Sequence, residues 1–505
     1  MCDINWKHFK SGTDIRGVAL EGVEGQHVDL TDPVVSQIGG AFLLWLSQKV
    51  SKPVDQLCVS IGRDSRLSGP RIMAALEQTF VAAGVQVLNV GMASTPAMFM
   101  TTVDLGCDGA VQITASHHPF NRNGLKFFVK TGGLESADIS TILEYCQQGQ
   151  MPPAAQGEAK PCDYMTAYAA RLRQLIVDGV KAGSRPLEGF HIVVDAGNGA
   201  GGFYATQVLE PLGADISGSQ FLDPDGRFPN HVPNPEDKKA MESACQAVIN
   251  AKADMGVIFD TDVDRAGCVD GNGKEINRNR LIALASVIAL ENNPGGTVVT
   301  DSITSSGLKT FIEKDLGGVH LRFKRGYKNV INEALRLNAQ GINAPLAIET
   351  SGHAALRDNY FLDDGAYLAT QIIIKAACLA KENKTLQSLI ATLAEPLQSC
   401  ELRFTITKPD FAAYGKQLLA DLEAYAAGKG WLVADDSREG VRVSFPADNG
   451  DGWFLLRLSV HDPVMPLNIE SDSHGGCQVI AVQLLEYLKT CDGLDLSALE
   501  RFLGL

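Results

Sequence analysis

Short apolar runs that close on polar loops recur along most of the chain, and stretches of helical periodicity separate them. Residues 57–61 form an apolar run ending at Gly62-Arg63-Asp64, and residues 70–83 follow with a helical pattern. Residues 85–90 predict the next strand, and residues 109–114 another that runs into a polar loop. This alternation predicts α/β units with mainly parallel sheets. Gly, Pro, Gln and Ala crowd residues 149–161, which reads as a linker. A second α/β unit opens at residues 190–194, turns at Asp195-Ala196-Gly197-Asn198-Gly199 and closes with a strand over 255–259. A third begins near Arg278, with a helix to about residue 290 and strands over 297–300 and 346–348. Strand patterns over 401–407, 441–445 and 453–460 predict an antiparallel sheet with helices, hence a C-terminal α+β unit. The expected domains are 1–150, 151–276, 277–398 and 399–505.

Composition narrows the class without naming it. A length of 505 residues suits about three to five domains. No apolar run reaches the roughly 18 residues that span a bilayer, and the first ten residues lack the apolar core of a signal peptide. The net charge of −15 argues against nucleic acid and anionic membranes as partners. It leaves room for an anionic small molecule, which needs only a local basic pocket. The 11 cysteines include no C-x-x-C pair, so a zinc site is not expected. A reduced, cytoplasmic enzyme is the expectation.

Ligands of open α/β sheets sit beyond the carboxyl ends of strands, so the polar loops after apolar strands hold the candidate chemistry. Thr114-Ala115-Ser116-His117-His118-Pro119 offers a serine beside histidines. It lacks G-x-S-x-G, which disfavours a hydrolase triad. Asn123-Gly124-Leu125-Lys126 adds a cation suited to a phosphoryl group on Ser116. Asp260-Thr261-Asp262-Val263-Asp264-Arg265 places three carboxylates at alternate positions. In an extended loop they would share one side, and three hard oxygens suit Mg²⁺. An EF-hand fails, because the sixth position holds Arg265 and the twelfth Gly271. Glu349-Thr350-Ser351-Gly352-His353 could grip vicinal sugar hydroxyls or simply cap a helix. Arg457-Leu458-Ser459-Val460-His461-Asp462-Pro463 could clamp a phosphate. Three further polar turns are Ser11-Gly12-Thr13-Asp14-Ile15-Arg16-Gly17, Gly62-Arg63-Asp64-Ser65-Arg66 and Arg325-Gly326-Tyr327-Lys328.

In this order the loops resemble those of the α-D-phosphohexomutases, a family that includes phosphoglucomutase, phosphomannomutase and phosphoglucosamine mutase. The family pattern is T-A-S-H-N-P, D-x-D-x-D-R, G-E-x-S-G-H and R-x-S-x-T-E-P, and the likeness runs from Gly12 to about Pro463. It implies four domains around a central cleft, three α/β with mixed, mainly parallel sheets and a C-terminal α+β domain. It also implies an isomerase of carbohydrate metabolism that interconverts hexose 1-phosphate and hexose 6-phosphate, of glucose or mannose. The route would pass through a phosphoserine and a hexose 1,6-bisphosphate, which also acts as activator. Ser116 would be the phosphoserine, making the chain a phosphoprotein. His117, Lys126, Arg16, Arg265 and His353 would surround the reacting groups. Asp260, Asp262, Asp264 and the Ser116 phosphate would ligate one Mg²⁺ per active site. Glu349 and Ser351 would hold sugar hydroxyls. Gly326 and Lys328 would help recognise the substrate, and Arg457, Ser459 and His461 would hold its remote phosphate. A monomer or dimer acting on small hexose phosphates follows. The chain departs from the pattern at His118, at Thr350 and at His461-Asp462. Thr350 stands where phosphoglucosamine mutases usually carry Gln, which disfavours a glucosamine substrate and suggests a divergent branch. The alternatives are a phosphoglucosamine mutase, a metal-dependent sugar phosphatase using the same phosphoserine, and a non-catalytic sugar-phosphate binder.

Overall fold

The computed structural model describes residues 4–459 and 462–505. The chain folds into two compact units: Met1–Ile288 with Ser351–Leu389, and Ala289–Thr350 with Ile390–Leu505.

The first unit holds two sheets. In the larger, the strands Cys58–Arg63, Gln86–Met92 and Gly109–Ile113 run parallel; Cys58–Arg63 and Gly109–Ile113 are buried on both faces, whereas Gln86–Met92 is mostly half-buried. Arg122–Val129 returns antiparallel to Gly109–Ile113, and Asp14–Val18 pairs antiparallel with Arg122–Val129. The helices Asp32–Val50, Gly69–Ala82 and Ser136–Gln147 bury their apolar faces around this sheet. Phe42 stacks on Phe127 with ring centroids 4.5 Å apart. The linker expected over 149–161 is only partly irregular. Its last four residues, Glu158–Pro161, form a strand parallel to Gln86–Met92. That strand is mostly exposed and held by its backbone, so it carries no apolar signature, and Pro161 is tolerated at a sheet edge.

The second sheet of this unit is built on Ile192–Asp195 and Met255–Phe259, which run parallel, and Ala266–Asp270 folds back antiparallel. It is mixed, with more antiparallel than parallel pairing. Asp364 ties the segment 351–389 to this unit. It caps the helix Gly365–Ala380 by accepting from Tyr367 N at 2.8 Å, and it accepts from the Tyr168 hydroxyl at 2.7 Å.

The second unit contains a parallel set, Val319–Arg322, Thr297–Thr300 and Leu346–Ile348. It also contains a five-stranded antiparallel sheet, in the order Gln398–Thr405, Val464–Ser471, Gly452–Leu456, Val441–Phe445, Leu432–Val433. The helices Phe411–Gly428 and Gly476–Leu488 pack on that sheet, giving α+β. The strand expected over 453–460 ends at Leu456, which leaves Arg457 just beyond it. No helix among the described residues is long and apolar enough to cross a membrane.

Candidate active site

Ser116 sits in the turn between Gly109–Ile113 and Arg122–Val129, at 4% exposure. Its backbone is left-handed, with φ of 49°, and its N–H donates to Thr114 Oγ1 at 2.9 Å. Ser116 Oγ receives Arg265 Nη2 at 2.5 Å and donates to Asp260 Oδ2 at 3.2 Å. His117 Nδ1 lies 3.3 Å from Ser116 Oγ and 2.5 Å from Arg265 Nη2. Burial, then the charge of Arg265, pushes the His117 imidazole down to about 2, so the ring is neutral. Lys126 reaches the same place from the strand Arg122–Val129. Its ammonium donates to Asp264 Oδ2 and lies 3.7 Å from Asp262 Oδ2.

Asp260 follows the strand Met255–Phe259, and the chain reverses at once into Ala266–Asp270. The loop is therefore a tight turn rather than the extended segment expected. Val263 adopts φ of 66°, which a β-branched residue rarely does, and Val263 N donates to Asp260 O at 3.4 Å. Folding back, not alternation, gathers the three carboxylates, whose oxygens lie within 4.8 Å of one another. All three are buried. Burial, then Asp264 and Asp262, holds the Asp260 carboxyl well above its ordinary range. Burial works the same way on Asp264, but Lys126 and Arg265 outweigh it and bring that carboxyl below its ordinary range. Asp262 Oδ1 and Asp264 Oδ1 are buried and have no hydrogen-bond partner. Two orphaned carboxylate oxygens beside a third carboxylate fit a hard divalent cation, which would neutralise them.

Ser351 and His353 complete this group. Ser351 Oγ is 2.8 Å from His353 Nδ1. His353 Nε2 lies 3.7 Å from Asp264 Oδ1 and 3.6 Å from Asp363 Oδ2. Burial, then the charges of Arg265 and Lys126, holds this imidazole well below its ordinary range. The segment leads into the strand Ala354–Leu356, which sets aside a helix-capping role. Arg16 sits on Asp14–Val18 opposite Gly124, next to the serine loop, and its Nη2 donates to Asp14 Oδ2 at 3.0 Å.

The second unit gathers the other candidates. Glu349 Oε1 accepts from Gly326 N at 2.6 Å, where Gly326 has φ of 109°. Lys328 is half-buried in the first turn of the helix Tyr327–Ala339. Arg457 is 9% exposed, and its Nη1 lies 3.9 Å from Glu439 Oε1. Burial, then the nearby charge of Arg325, lowers its pKa, so an anion there would relieve two guanidinium groups. Ser459 Oγ accepts from Asp462 N at 3.3 Å. His461 lies outside the described residues.

Three family descriptions match in order: phosphoglucomutase/phosphomannomutase alpha/beta/alpha domain I over residues 9–151, domain II over 166–273 and domain III over 277–397. A phosphoglucomutase of Neisseria meningitidis is 30% identical over 466 residues, 92% of this chain and 94% of that protein. The chain belongs to this family. It is an α-D-phosphohexomutase, an isomerase. A phosphomannomutase/phosphoglucomutase of Pseudomonas putida is 31% identical over 84% of this chain and 85% of its own length. A crystal structure of a phosphoglucomutase/phosphomannomutase family protein from Burkholderia thailandensis superimposes with a TM-score of 0.79 at 28% identity, covering 97% of this chain and 98% of that one. An Aspergillus fumigatus N-acetylphosphoglucosamine mutase, solved in complex with GlcNAc-6P and magnesium, shares the fold with a TM-score of 0.57 at 13% identity, over 96% of each chain.

In this phosphohexomutase several polar residues beside the candidates carry no motif. Asp301 accepts from Thr350 Oγ1 at 2.7 Å and lies 3.5 Å from Arg325 Nε. Its signal was its position just after the strand Thr297–Thr300. Glu439 accepts from Ser302 Oγ at 2.6 Å and from Arg325 N at 3.2 Å, and it also faces Arg457. Nothing in its surrounding polar run marks it. Thr95 N donates to Asp262 O at 2.8 Å, and its hydroxyl donates to the Asp262 carboxylate.

Proposed function

We propose that this phosphohexomutase carries the transferred phosphoryl group on Ser116 and interconverts the 1- and 6-phosphates of glucose and mannose. One observation carries the reading: Ser116 Oγ meets a guanidinium, an imidazole and a carboxylate in a buried place shared with two orphaned carboxylate oxygens. Phosphoryl transfer asks for in-line positioning and neutralised charge, and these groups offer both. Asp260, Asp262, Asp264 and an oxygen of the phosphorylated serine would hold one Mg²⁺. The ion, when bound, supplies positive charge against the phosphoryl oxygens.

In the first half-reaction the P–O bond to Ser116 Oγ breaks and a P–O bond to the free sugar hydroxyl forms. A neighbouring side chain takes up the hydroxyl proton, and His353, His117 and Lys126 are the candidates for that general base. Arg265 and Lys126 face the phosphoryl oxygens during transfer, and Arg16 adds charge beside the loop. The hexose 1,6-bisphosphate so formed turns over and returns its other phosphate to Ser116, the proton going back to the sugar oxygen. The same bisphosphate primes unphosphorylated enzyme, which makes it an activator. Glu349 and Ser351 hold sugar hydroxyls, Gly326 and Lys328 contribute to recognition, and Arg457 with Ser459 holds the phosphate that is not reacting.

The sugar reading rests on the names of the relatives, which include phosphoglucomutases and phosphomannomutases. Domain borders at 276 and 398 follow from the sequence. The first border is proposed at 150, and the pairing of Glu158–Pro161 with the first sheet supports drawing it a little later. Work in the reducing cytoplasm agrees with every described cysteine being free.

A product assay tests the whole reading. With Mg²⁺ and the matching bisphosphate, glucose 1-phosphate and mannose 1-phosphate should each give the 6-phosphate, and intact mass should show one phosphoryl group that Ser116→Ala lacks. Full activity in Ser116→Ala, or release of inorganic phosphate without isomerised sugar, contradicts it.

A further inference from the structure

The turn Gly62-Arg63-Asp64-Ser65-Arg66 closes the strand Cys58–Arg63 and takes no part in the chemistry above. Its Arg66 is one of the largest fully buried side chains of the molecule, at 0% exposure. A surface turn has no need of such a residue. The guanidinium commits its four terminal N–H groups to four backbone carbonyls of one loop. Nη2 donates to Ser116 O and, at 2.6 Å, to His118 O. Nη1 donates to Pro119 O at 2.8 Å and to Arg122 O at 2.9 Å. These acceptors span the serine loop from Ser116 to the first residue of the next strand.

The clamp is itself fixed. Asp64 is fully buried, and its Oδ2 lies 3.3 Å from Arg66 Nε. Asp64 Oδ1 accepts from Arg66 N at 2.9 Å, and Asp64 N donates to Ile113 O at 3.0 Å, at the end of the strand that delivers Ser116. The Phe228 ring covers the guanidinium at 5.2 Å. Gly226 packs so tightly on this turn that a Cβ would meet Leu67 N and Ser65 O at 2.5 Å.

The clamped loop needs holding. Ser116 has a left-handed φ of 49°, a conformation that a non-glycine residue keeps only when its surroundings over-determine it. Its peptide groups are held at both ends, the N–H by Thr114 Oγ1 and the C=O by Arg66.

We propose that Arg66, oriented by Asp64, is a positioning residue for phosphoryl transfer, fixing the Ser116 backbone so that Oγ keeps one aim whether or not it carries phosphate. This rests on Ser116 being the carrier. Lysine cannot replace the clamp, because three donors on a single nitrogen cannot serve four carbonyls spread along a loop.

The test is Arg66→Lys in the full chain with Mg²⁺, glucose 1-phosphate and glucose 1,6-bisphosphate. The expected result is a kcat lower by about a hundredfold, the cost of misplacing a reacting atom by roughly an ångström. KM should change by less than about threefold, since the substrate-holding residues are untouched. The ³¹P resonance of phosphorylated Ser116 should shift or broaden while circular dichroism is retained. A folded Arg66→Lys with near wild-type kcat and an unchanged ³¹P resonance overturns the proposal, as does a kcat loss that only matches the unfolded fraction. If Arg66→Lys does not fold, Asp64→Asn decides. It should lower kcat about tenfold at constant KM, and wild-type kcat there overturns the proposal. Ser116→Ala, run in parallel, separates the two readings: activity without Ser116 removes the carrier itself, whereas a dead Ser116→Ala beside an unimpaired Arg66→Lys removes only the clamp.

Discussion

His320 lies buried at 6% exposure with Nε2 2.8 Å from Thr300 Oγ1. Burial, then the charge of Arg322, holds its imidazole well below 6.5. Unfolded, the ring titrates near its ordinary value. The stability gained by keeping it neutral is thus complete above the unfolded pKa and is lost as pH falls below it. One pH unit below, the loss is about 1.4 kcal/mol. His320→Gln, which keeps a polar group toward Thr300, should lose about that much less than the parent between neutral and mildly acidic pH. Urea unfolding of both proteins measures this, and identical losses contradict it. Each carboxylate of the proposed metal site carries a sharper prediction. Asp262→Asn should lower activity by at least about a hundredfold, and chelation of the wild type should do the same reversibly with Mg²⁺. An unimpaired Asp262→Asn would place the cation elsewhere. At this scale the sequence was most readable where a polar residue follows an apolar strand, as at Ser116, Asp260 and Arg457. It was least readable where a residue matters only through distant partners. Arg66 and Glu439 are of that kind, since their acceptors and donors lie far away along the chain.

Strands buried on both faces declared themselves to the residue: Met255–Phe259, Thr297–Thr300 and Val441–Phe445 match their apolar runs end to end. Pattern failed where burial did. Glu158–Pro161 is an exposed edge strand and resembles a linker in composition. Leu458 made the strand before Arg457 look longer than Gly452–Leu456, although it packs toward Gly415 instead. The loop of the three carboxylates misled in another way: alternate carboxylates suggest an extended segment, but a left-handed Val263 turns the chain there. The neighbouring loop depends on Gly352 in the same manner. Its φ is +91°, and a Cβ would meet Ala266 O at 2.7 Å. Gly352→Ala should therefore cost about 1–3 kcal/mol of stability, and it should lower kcat/KM by displacing Ser351 and His353. Thermal melts and steady-state kinetics check both, and a variant equal to wild type in each would show that the loop tolerates another backbone.

On the scale of the molecule, the two units hold different halves of the proposed task. The first carries Ser116, the carboxylates, Lys126, Arg265 and His353, and the second carries Glu349, Gly326, Lys328 and Arg457. Variants should separate accordingly. Arg457→Ala should raise KM by about 10- to 100-fold while intact mass still shows phosphate on Ser116. Ser116→Ala should lose the phosphate yet keep the thermal shift caused by a hexose phosphate. Identical phenotypes would contradict this division. The order of loops and the α/β rhythm made the family and the C-terminal α+β unit legible, because each loop is local in sequence. Which segments form a compact unit was not legible, because Ser351–Leu389 joins the first unit through Tyr168–Asp364 and Tyr204–Thr370 hydrogen bonds between residues far apart in the chain. The most direct measurement is a single turnover. Enzyme with radiolabelled phosphate on Ser116 is mixed with unlabelled hexose 1-phosphate and quenched before a second cycle. The label should leave the protein for hexose 1,6-bisphosphate and hexose 6-phosphate while the protein keeps one phosphate, now unlabelled. Label released as inorganic phosphate, or label retained on Ser116 while the sugar isomerises, would contradict Ser116 as the carrier.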